Sequence, residues 1–329
     1  MRRSTGILIM AALLLTACAK GAAKVTPAEM TIRLAYSTNL NPALVHIALE
    51  KGYFADEGLA IDARAFLFGK LAMDSMLEGE SDLATCAAIP LVLALVDGKD
   101  IGIAATIVST DRTTALVADR AAGVQKPSDL AGKTIGVPFG TAAEYFLQLL
   151  LEARGLDRKA VRIVDMKPDD MLPALKAGTV SAVSIWIPYL SSIELALAER
   201  SLVMYGNDLF TQHFIIAGNI GFMRARPAAM RALMRSLLKA EAFISDHPDE
   251  AVAIIARYTK ADEAVVRSAM DLYRFKVSLD EALLLVLEDE TRWAMSLPAA
   301  TARKIPDIRD TIYADALQSV APDRVRLIR

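Results

Sequence analysis

Short apolar runs alternate with longer segments of helical periodicity along most of this 329-residue chain, and this alternation restricts the folds open to it. Two parallel strands can be joined only through a crossover, usually a helix, so the pattern predicts βαβ units and a mostly parallel sheet. The order is repeated in two halves, which predicts two similar lobes. The predicted strands lie at residues 31–36, 59–66, after Asp82 and 101–107, and then at 133–137, 161–166 and 182–186.

The remaining segments have helical periodicity. A strand-like segment at 214–222 precedes a stretch, from Pro227 onward, that we predict to be helical throughout. We therefore expect the chain to cross back and pack a helical tail on the first lobe. The predicted helices are 43–51, 71–77, 90–96, 142–154, 170–177 and 189–198, followed by 228–244, 248–258, 262–273, 279–296 and 307–317.

The first eighteen residues have the order of an export signal. Arg2 and Arg3 precede an uncharged apolar run at 6–15 that is too short to span a bilayer, and the run ends in Leu15-Thr16-Ala17-Cys18. Small residues before a cysteine are typical of the bacterial lipobox, although an ordinary signal peptide would share the charge pattern. We predict cleavage before Cys18, a lipid on its thiol, a flexible tether at 19–29, and a protein anchored in the periplasm or at the cell surface.

Composition excludes several classes of protein. The formal charge is −2, or −4 without Arg2 and Arg3, which argues against nucleic acid as a partner. With Cys18 carrying lipid, Cys86 has no disulfide partner and is expected to be a buried thiol. The histidines lack metal-ligand spacing and no nucleotide-binding loop is present, so we expect no metal and no cofactor.

Five sequence blocks resemble the nitrate, sulfonate and taurine solute-binding proteins, a family that includes binders of thiamine-pyrimidine precursors. Together they span about residues 31–320, and their order and spacing carry the resemblance. The blocks are ALEKGYFADEGL at 48–59, EGESD at 78–82, DLAGKTIGV at 129–137, ALKAG at 174–178 and WIP at 186–188.

The resemblance implies a type II periplasmic-binding fold, in which two doubly wound α/β lobes are joined by two crossover strands and close over a ligand. The first lobe would comprise residues 30–115 and 222–329, the second 116–221, with crossovers near 113–117 and 214–223.

The implied function is that of a monomeric solute-binding lipoprotein. It would deliver a small sulfonate, taurine-like or heterocyclic molecule to an ABC permease with its cytoplasmic ATPase. One alternative is an enzyme on the same fold, such as a pyrimidine synthase or a chorismate-dehydratase-like protein, which fits an export signal badly. The other is a ligand-sensing lipoprotein, which the sequence does not separate from a transport protein.

In such a fold the ligand lies beyond the carboxyl ends of the strands. The candidate binding residues therefore follow the predicted strands. In the first lobe they are Ser37, Thr38, Asn39, Asn41, Phe68, Gly69, Lys70, Thr85, Cys86, Ala87, Ser109, Thr110 and Arg112, and in the second Phe139, Gly140, Thr141, Ala142, Glu144, Tyr145, Trp186 and Tyr189.

The segment 139–144 allows two interpretations. Thr141 and Glu144 have the spacing of a capping box, which would satisfy free backbone amides. The same amides and the helix dipole could hold an anion, although a glutamate in the first turn favours an amine instead. Lys70 and Arg112 could each pair with a sulfonate or carboxylate, or be solvated surface charges.

Aromatic residues are concentrated in these loops, although they make up 6% of the chain. Core packing would account for any one of them, whereas the group favours a carbon-containing or planar ligand over nitrate. The five are Phe68, Phe139, Tyr145, Trp186 and Tyr189.

Overall fold

Two β-sheets, each covered by helices, organise the chain in a computed structural model that describes residues 26–206, 209–297 and 307–328. The strands are β1 Thr31–Ser37, β2 Ala60–Phe66, β3 Leu83–Ala87, β4 Ile101–Thr110, β5 Thr114–Asp119, β6 Thr134–Val137, β7 Arg162–Asp165, β8 Ala182–Trp186, β9 Ser201–Tyr205, β10 Gln212–Asn219, β11 Arg274–Asp280 and β12 Val325–Arg326. The helices are α1 Ala43–Glu50, α2 Tyr53–Asp56, α3 Gly69–Leu77, α4 Ala88–Val96, α5 Ala142–Ala153, α6 Pro168–Lys176, α7 Tyr189–Leu197, α8 Ile220–Ala225, α9 Pro227–Asp246, α10 Pro248–Thr259, α11 Glu263–Met270, α12 Glu281–Ser296 and α13 Asp315–Val320.

The larger sheet has seven strands in the order β12-β11-β4-β10-β3-β1-β2, and with its helices it forms the first lobe. β1 pairs in parallel with β2 and β3, whereas β10 lies between β3 and β4 and runs antiparallel to both. The interior strand β3 is buried along its whole length, as its unbroken run Leu-Ala-Thr-Cys-Ala predicts. The edge strand β2 is mostly exposed.

The smaller sheet has five strands in the order β7-β6-β8-β5-β9, and with its helices it forms the second lobe. The chain enters this sheet between Thr110 and Thr114 and returns between Tyr205 and Gln212. The sequence analysis placed the return near 214–223, but the strand Gln212–Asn219 already lies inside the seven-stranded sheet. We propose on this basis that the second lobe ends between Tyr205 and Gln212 and not at residue 221.

The C-terminal third is less helical than the sequence predicts. Residues 274–280 form β11 beside β4, and α12 begins two residues later than expected. Apolar and polar residues alternate in Arg-Phe-Lys-Val-Ser-Leu-Asp, which accounts for the strand, and its residues 277–279 are all buried in the sheet. The predicted helix at 307–317 is a 3₁₀ turn, Ile308–Thr311, followed by α13.

The predicted signal peptide, Cys18 and the tether up to residue 25 lie outside the described residues. Residues 27–29, the end of the predicted flexible tether, belong to the 3₁₀ helix Pro27–Met30, which has a complete capping box. The backbone N–H of Thr26 donates to Glu29 Oε2 at 2.7 Å, and the backbone N–H of Glu29 donates to Thr26 Oγ1 at 3.3 Å.

Two apolar cores form, one around each sheet. Tyr145 on α5 belongs to the first-lobe core although its helix starts in the second lobe, so the lobes share packing at that point.

Every helix in the part of the chain that the structure describes is too short or too polar to cross a membrane. Within the same residues, histidine, cysteine and acidic side chains nowhere form a group of three able to hold a metal ion.

Candidate functional site

A cleft lies between the two lobes. Both lobes contribute to its wall, and most wall residues follow the carboxyl end of a strand. The wall consists of Asn39, Asn41, Phe68, Gly69, Lys70, Ala87, Pro90, Gln212 and Phe214 from the first lobe and Thr141, Ala142 and Trp186 from the second. Nine of these twelve were predicted from the sequence; whether they bind a ligand stays a prediction.

Four helices begin at this cleft, and none has a side-chain hydrogen bond at its N-cap. Among the described α-helices, side-chain caps are formed only by Asn219 of α8 and Asp280 of α12, so the cleft is distinguished by the convergence of four helix ends and not by the missing caps. Helix N-termini carry a partial positive charge and N–H groups without an intrahelical partner, which suits the cleft to an anionic group, although the N–H of Ala43 in α1 already donates to the Leu40 carbonyl oxygen at 3.1 Å. The four N-cap residues are Pro42 of α1, Phe68 of α3, Ala87 of α4 and Thr141 of α5.

The capping box expected at Thr141 is not formed. The Thr141 hydroxyl donates to the carbonyl oxygen of Pro138 at 2.7 Å, and Glu144 Oε2 accepts from the backbone N–H of Gly140 at 2.9 Å. Glu144 is only 5% exposed, and its Oε1 accepts from Arg158 Nη2 at 3.3 Å. The carboxylate in the first turn of α5 is therefore compensated inside the second lobe, which removes the argument that it favours an amine.

A buried hydrogen-bond network fixes Asn39 in the floor of the cleft. Ser37 Oγ and the backbone N–H of Asn41 both donate to Asn39 Oδ1, at 3.0 and 3.2 Å. The backbone N–H of Ser37 donates to Thr85 Oγ1 at 3.3 Å, and His46 Nε2 donates to the Ser37 carbonyl oxygen at 3.0 Å. Ser37 and Thr85 thus lie beneath the wall and orient Asn39, whose amide NH₂ is the group able to donate to a ligand.

Trp186 forms the aromatic side of the cleft. Its ring centroid lies 5.8 Å from that of Phe68, with the planes tilted by 55°, and Tyr189 packs behind it at 6.4 Å. Burial, with a contribution from Asp169, raises the pKa of Tyr189 to about 12, so its hydroxyl stays protonated. Trp186 Nε1 and Asn41 Oδ1 are buried without a hydrogen-bond partner among the described residues, which is costly unless a ligand or water meets them.

Lys70 is the cation of the wall. Its Nζ pairs with Asp74 at 2.7 Å, one turn along α3, and its side chain is 35% exposed. A Cβ placed on Gly140 would come within 3.1 Å of Lys70 Cε, so this side chain reaches across to the second lobe.

Several predicted residues of the first lobe lie outside the wall. The backbone N–H of Thr38 donates to the Phe66 carbonyl oxygen at 2.9 Å. Cys86 is fully buried, 3.9 Å from the sulfur of Met73, and burial raises its pKa, as befits an inert thiol. Ser109 lies in a different cavity, and Arg112 is 55% exposed beside Asp111.

The second lobe also holds predicted residues that miss the wall. Phe139 is 40% exposed, and Gly140 occupies a left-handed turn with φ of 70°. Tyr145 packs against Phe210 and Trp293, with ring centroids 5.3 and 5.2 Å apart, and so joins the lobes behind the cleft.

Pro90, Gln212 and Phe214 are wall residues that the sequence analysis missed. The last two were missed because β10 enters the sheet antiparallel, which brings its first residues, and not its last, to the cleft. Phe214 and Cys86 also explain why residue 69 is a glycine, since a Cβ at that position would lie 2.9 Å from Phe214 Cζ and from Cys86 Cα.

The chain is similar to several known binding proteins. It is 27% identical over 281 residues to a Bacillus subtilis (strain 168) protein provisionally named as an aliphatic sulfonates-binding protein, covering 82% of each chain. It is 25% identical over 272 residues to the formylaminopyrimidine-binding protein of Halalkalibacterium halodurans, covering 78% of each. The alkanesulfonate-binding protein SsuA of Xanthomonas axonopodis pv. citri, solved with bound MOPS, has the same fold, with a TM-score of 0.76 at 17% identity over 87% of this chain and 98% of that one.

These likenesses confirm the predicted fold class and the family resemblance. The model of the family described as NMT1/THI5 like matches residues 39–251, nearly two thirds of the sequence, and the chain belongs to this family.

Proposed function

We propose that this chain is the solute-binding component of an ABC importer and that it captures a small organic sulfonate in the interlobe cleft. The observation that carries the proposal is the convergence of four helix N-termini without side-chain caps on one cavity. A sulfonate offers three acceptor oxygens that share one negative charge, which matches several backbone donors arriving from different directions. The relatives named above as sulfonate-binding proteins support this class of ligand.

The charges around the cleft favour an anion over a cation. Glu144 is compensated by Arg158 and lies outside the wall, and Asp74 pairs with Lys70. Among the described wall residues, Lys70 is charged and none is acidic. Trp186 Nε1 and the amide of Asn39 add neutral donors, so the wall offers an anion mostly donors.

Shape favours a compact head group over a flat ring held between two aromatic side chains. A planar ligand sandwiched by Phe68 and Trp186 would need parallel rings about 7 Å apart, two contact distances of about 3.5 Å. The two centroids are 5.8 Å apart and the planes are tilted by 55°. A tetrahedral sulfonate needs no such slot.

Capture would proceed by closure of the lobes. Because the wall draws on both lobes, a ligand that contacts Asn39 and Trp186 together stabilises the closed arrangement over an open one. The closed form would then dock on a permease driven by a cytoplasmic ATPase. Small-angle scattering should show a smaller radius of gyration with ligand, and an unchanged radius at saturation would argue against closure.

The protein would act outside the cytoplasm, held to the membrane by lipid at Cys18. The motif at 15–18 motivates this proposal, and Cys18→Ser tests it. The variant should leave the membrane fraction or remain unprocessed, and intact wild-type protein lacking diacylglyceryl mass would refute lipidation.

The ligand is tested directly with the soluble protein starting at Ala19. Ethanesulfonate, taurine, ethanol and ethylamine share a two-carbon unit and differ in their charged groups, and isothermal titration calorimetry measures each affinity. We expect ethanesulfonate to bind at least tenfold more tightly than ethanol or ethylamine. Preference for ethylamine, or for none of the four while a pyrimidine binds, would refute a sulfonate ligand.

An enzymatic role is disfavoured, because the relatives are named as binding proteins. The pyrimidine synthase named as an alternative in the sequence analysis consumes one of its own histidines and would need an accessible imidazole in the cleft. His46 is fully buried, its ring stacks on Tyr258 at 4.8 Å, and its Nε2 is held by the Ser37 carbonyl oxygen. A ligand-sensing role uses the same cleft and stays open as the second candidate.

A further inference from the structure

The first turn of α5 carries a carboxylate whose position bears on the charge of the ligand. Glu144 Oε2 accepts from the backbone N–H of Gly140 at 2.9 Å, and Gly140 directly precedes Thr141 and Ala142 in the cleft wall. The carboxylate therefore sits at the end of α5 where the cleft receives the positive end of the helix dipole. An uncompensated negative charge there would oppose an anionic ligand.

Arg158 supplies the compensation from outside the cleft. It belongs to the 3₁₀ helix Arg158–Ala160 that follows α5, and its Nη2 donates to Glu144 Oε1 at 3.3 Å. Among the described residues it is the one cation within 4 Å of that carboxylate. Arg158 does not line the cleft, and its Nη1 is buried without a hydrogen-bond partner in the described part of the chain. This guanidinium is thus committed to Glu144 and not to a ligand.

Glu144 has a structural task that explains its presence near an anion site. Gly140 adopts a φ of 70°, and Glu144 Oε2 accepts its backbone N–H, which fixes the turn that brings Thr141 and Ala142 to the cleft. The turn thus depends on an acceptor whose charge works against the ligand, and Arg158 cancels the charge while leaving the acceptor in place.

We propose that Arg158 is a specificity-determining positioning residue: by neutralising Glu144 it makes the α5 end of the cleft prefer an anionic ligand over one that also carries an amine. This rests on the proposed function, since it presumes that a sulfonate binds in the cleft. The pair acts through electrostatics and not through contact with the ligand.

The test compares ethanesulfonate with taurine, which differ by one amine, in the Arg158→Met variant. Charge effects at helix ends correspond to about two- to thirtyfold in affinity, so ethanesulfonate should weaken by about that factor. Taurine should weaken less, because its amine is attracted by the uncompensated carboxylate, so the ratio of the two dissociation constants should move toward taurine. The double variant with Glu144→Gln should restore ethanesulfonate binding to within about twofold of wild type.

A matched control exists in the same lobe. Arg200 pairs with Asp119, a carboxylate that is 2% exposed and, like Arg200, is not in the cleft wall. Arg200→Met removes a cation from a buried carboxylate at comparable cost to folding, yet should leave the ligand ratio unchanged.

The outcomes separate the two proposals. If wild-type protein binds neither sulfonate, the proposed function fails and this inference fails with it. If wild type binds ethanesulfonate but the ratio is unchanged in Arg158→Met, only the role of Arg158 is refuted. If Arg158→Met does not fold, the Glu144→Gln variant alone decides the question. It removes the negative charge and leaves the positive charge of Arg158 uncompensated, so ethanesulfonate must gain affinity relative to taurine. An unchanged or reversed ratio of the two dissociation constants overturns the inference.

Discussion

Replacing Trp186 with phenylalanine would remove one buried N–H from the cleft and keep an aromatic ring in place. Trp186 is 9% exposed, and its Nε1 has no partner among the described residues. If a sulfonate oxygen accepts that hydrogen bond, the bond has a charged acceptor and contributes about 1.5–3 kcal/mol. We therefore expect Trp186→Phe to weaken ethanesulfonate binding by about 10- to 150-fold.

Stability should respond differently from affinity. In the unliganded protein the indole N–H is an unsatisfied buried donor, with a penalty of about 1–3 kcal/mol that the substitution relieves. The smaller ring loses packing against Phe68 and Tyr189, and losses of this kind are typically of similar size. The two effects offset each other, so the free energy of unfolding should change by less than about 1 kcal/mol.

Calorimetric titration measures the affinity and urea unfolding the stability. Trp293 is the second tryptophan of the chain and lies outside the cleft wall, against Tyr145. Trp293→Phe is therefore the control, and it also isolates Trp186 fluorescence as a reporter of ligand. Unchanged affinity in Trp186→Phe, or an unfolding free energy that falls by several kcal/mol while binding persists, would refute the reasoning and assign Trp186 to packing alone.

Three further predictions concern buried groups and one close approach. Burial lowers the pKa of His46 to about 4, so the stability that depends on its neutral form is fully present above pH 6.5 and should be lost as pH falls through 4. At about 1.4 kcal/mol per pH unit, the loss in unfolding free energy should reach up to about 3 kcal/mol. Urea unfolding of wild type and His46→Phe tests this, since the variant should lack the loss. Burial and the nearby Asp289 raise the pKa of Glu290 well above its ordinary value, so stability should fall as pH rises above 4.5, by at most about 1.4 kcal/mol per pH unit, and an equally steep fall in Glu290→Met would contradict this assignment. Gly69→Ala should cost about 1–3 kcal/mol of unfolding free energy, because the new Cβ would lie 2.9 Å from Cys86 Cα; a variant as stable as wild type would show that α3 can move away.

The order of strands and helices could be predicted from the sequence because parallel βα units have a recognisable hydrophobic periodicity and characteristic turn residues. The direction in which a strand enters the sheet could not be predicted. The run Phe-Ile-Ile-Ala-Gly in β10 has the same pattern whether the strand enters the sheet parallel or antiparallel. The antiparallel entry seen here brings Gln212 and Phe214 to the cleft. The sequence analysis also missed β11, because its alternating apolar and polar residues are followed directly by the helical pattern of α12.

The candidate residues lie in the cleft wall where loops follow parallel strands and lie outside the wall where tertiary contacts intervene. Asn39, Phe68 and Trp186 lie in the wall because the rule of carboxyl strand ends selects them. Arg112 was expected there too, but β4 continues to Thr110 and the chain turns at once into β5, which leaves the side chain exposed. The partner of Glu144 lies fourteen residues away and could not be read from local spacing.

The composition of the wall explains why the ligand is harder to infer than the fold. Much of its polarity comes from backbone N–H groups at four helix ends, and a backbone donor is present whatever residue carries it. Such groups fix the sign of the ligand's charge only if no acidic side chain overrides them. Discrimination must then rest on a few side chains that add or cancel charge, and in this chain they are Lys70 in the wall and the Glu144–Arg158 pair behind it. Relatives that share the helix ends but differ at these positions would be expected to share the fold and differ in ligand, so these three residues are where the specificity of this chain should be changed first.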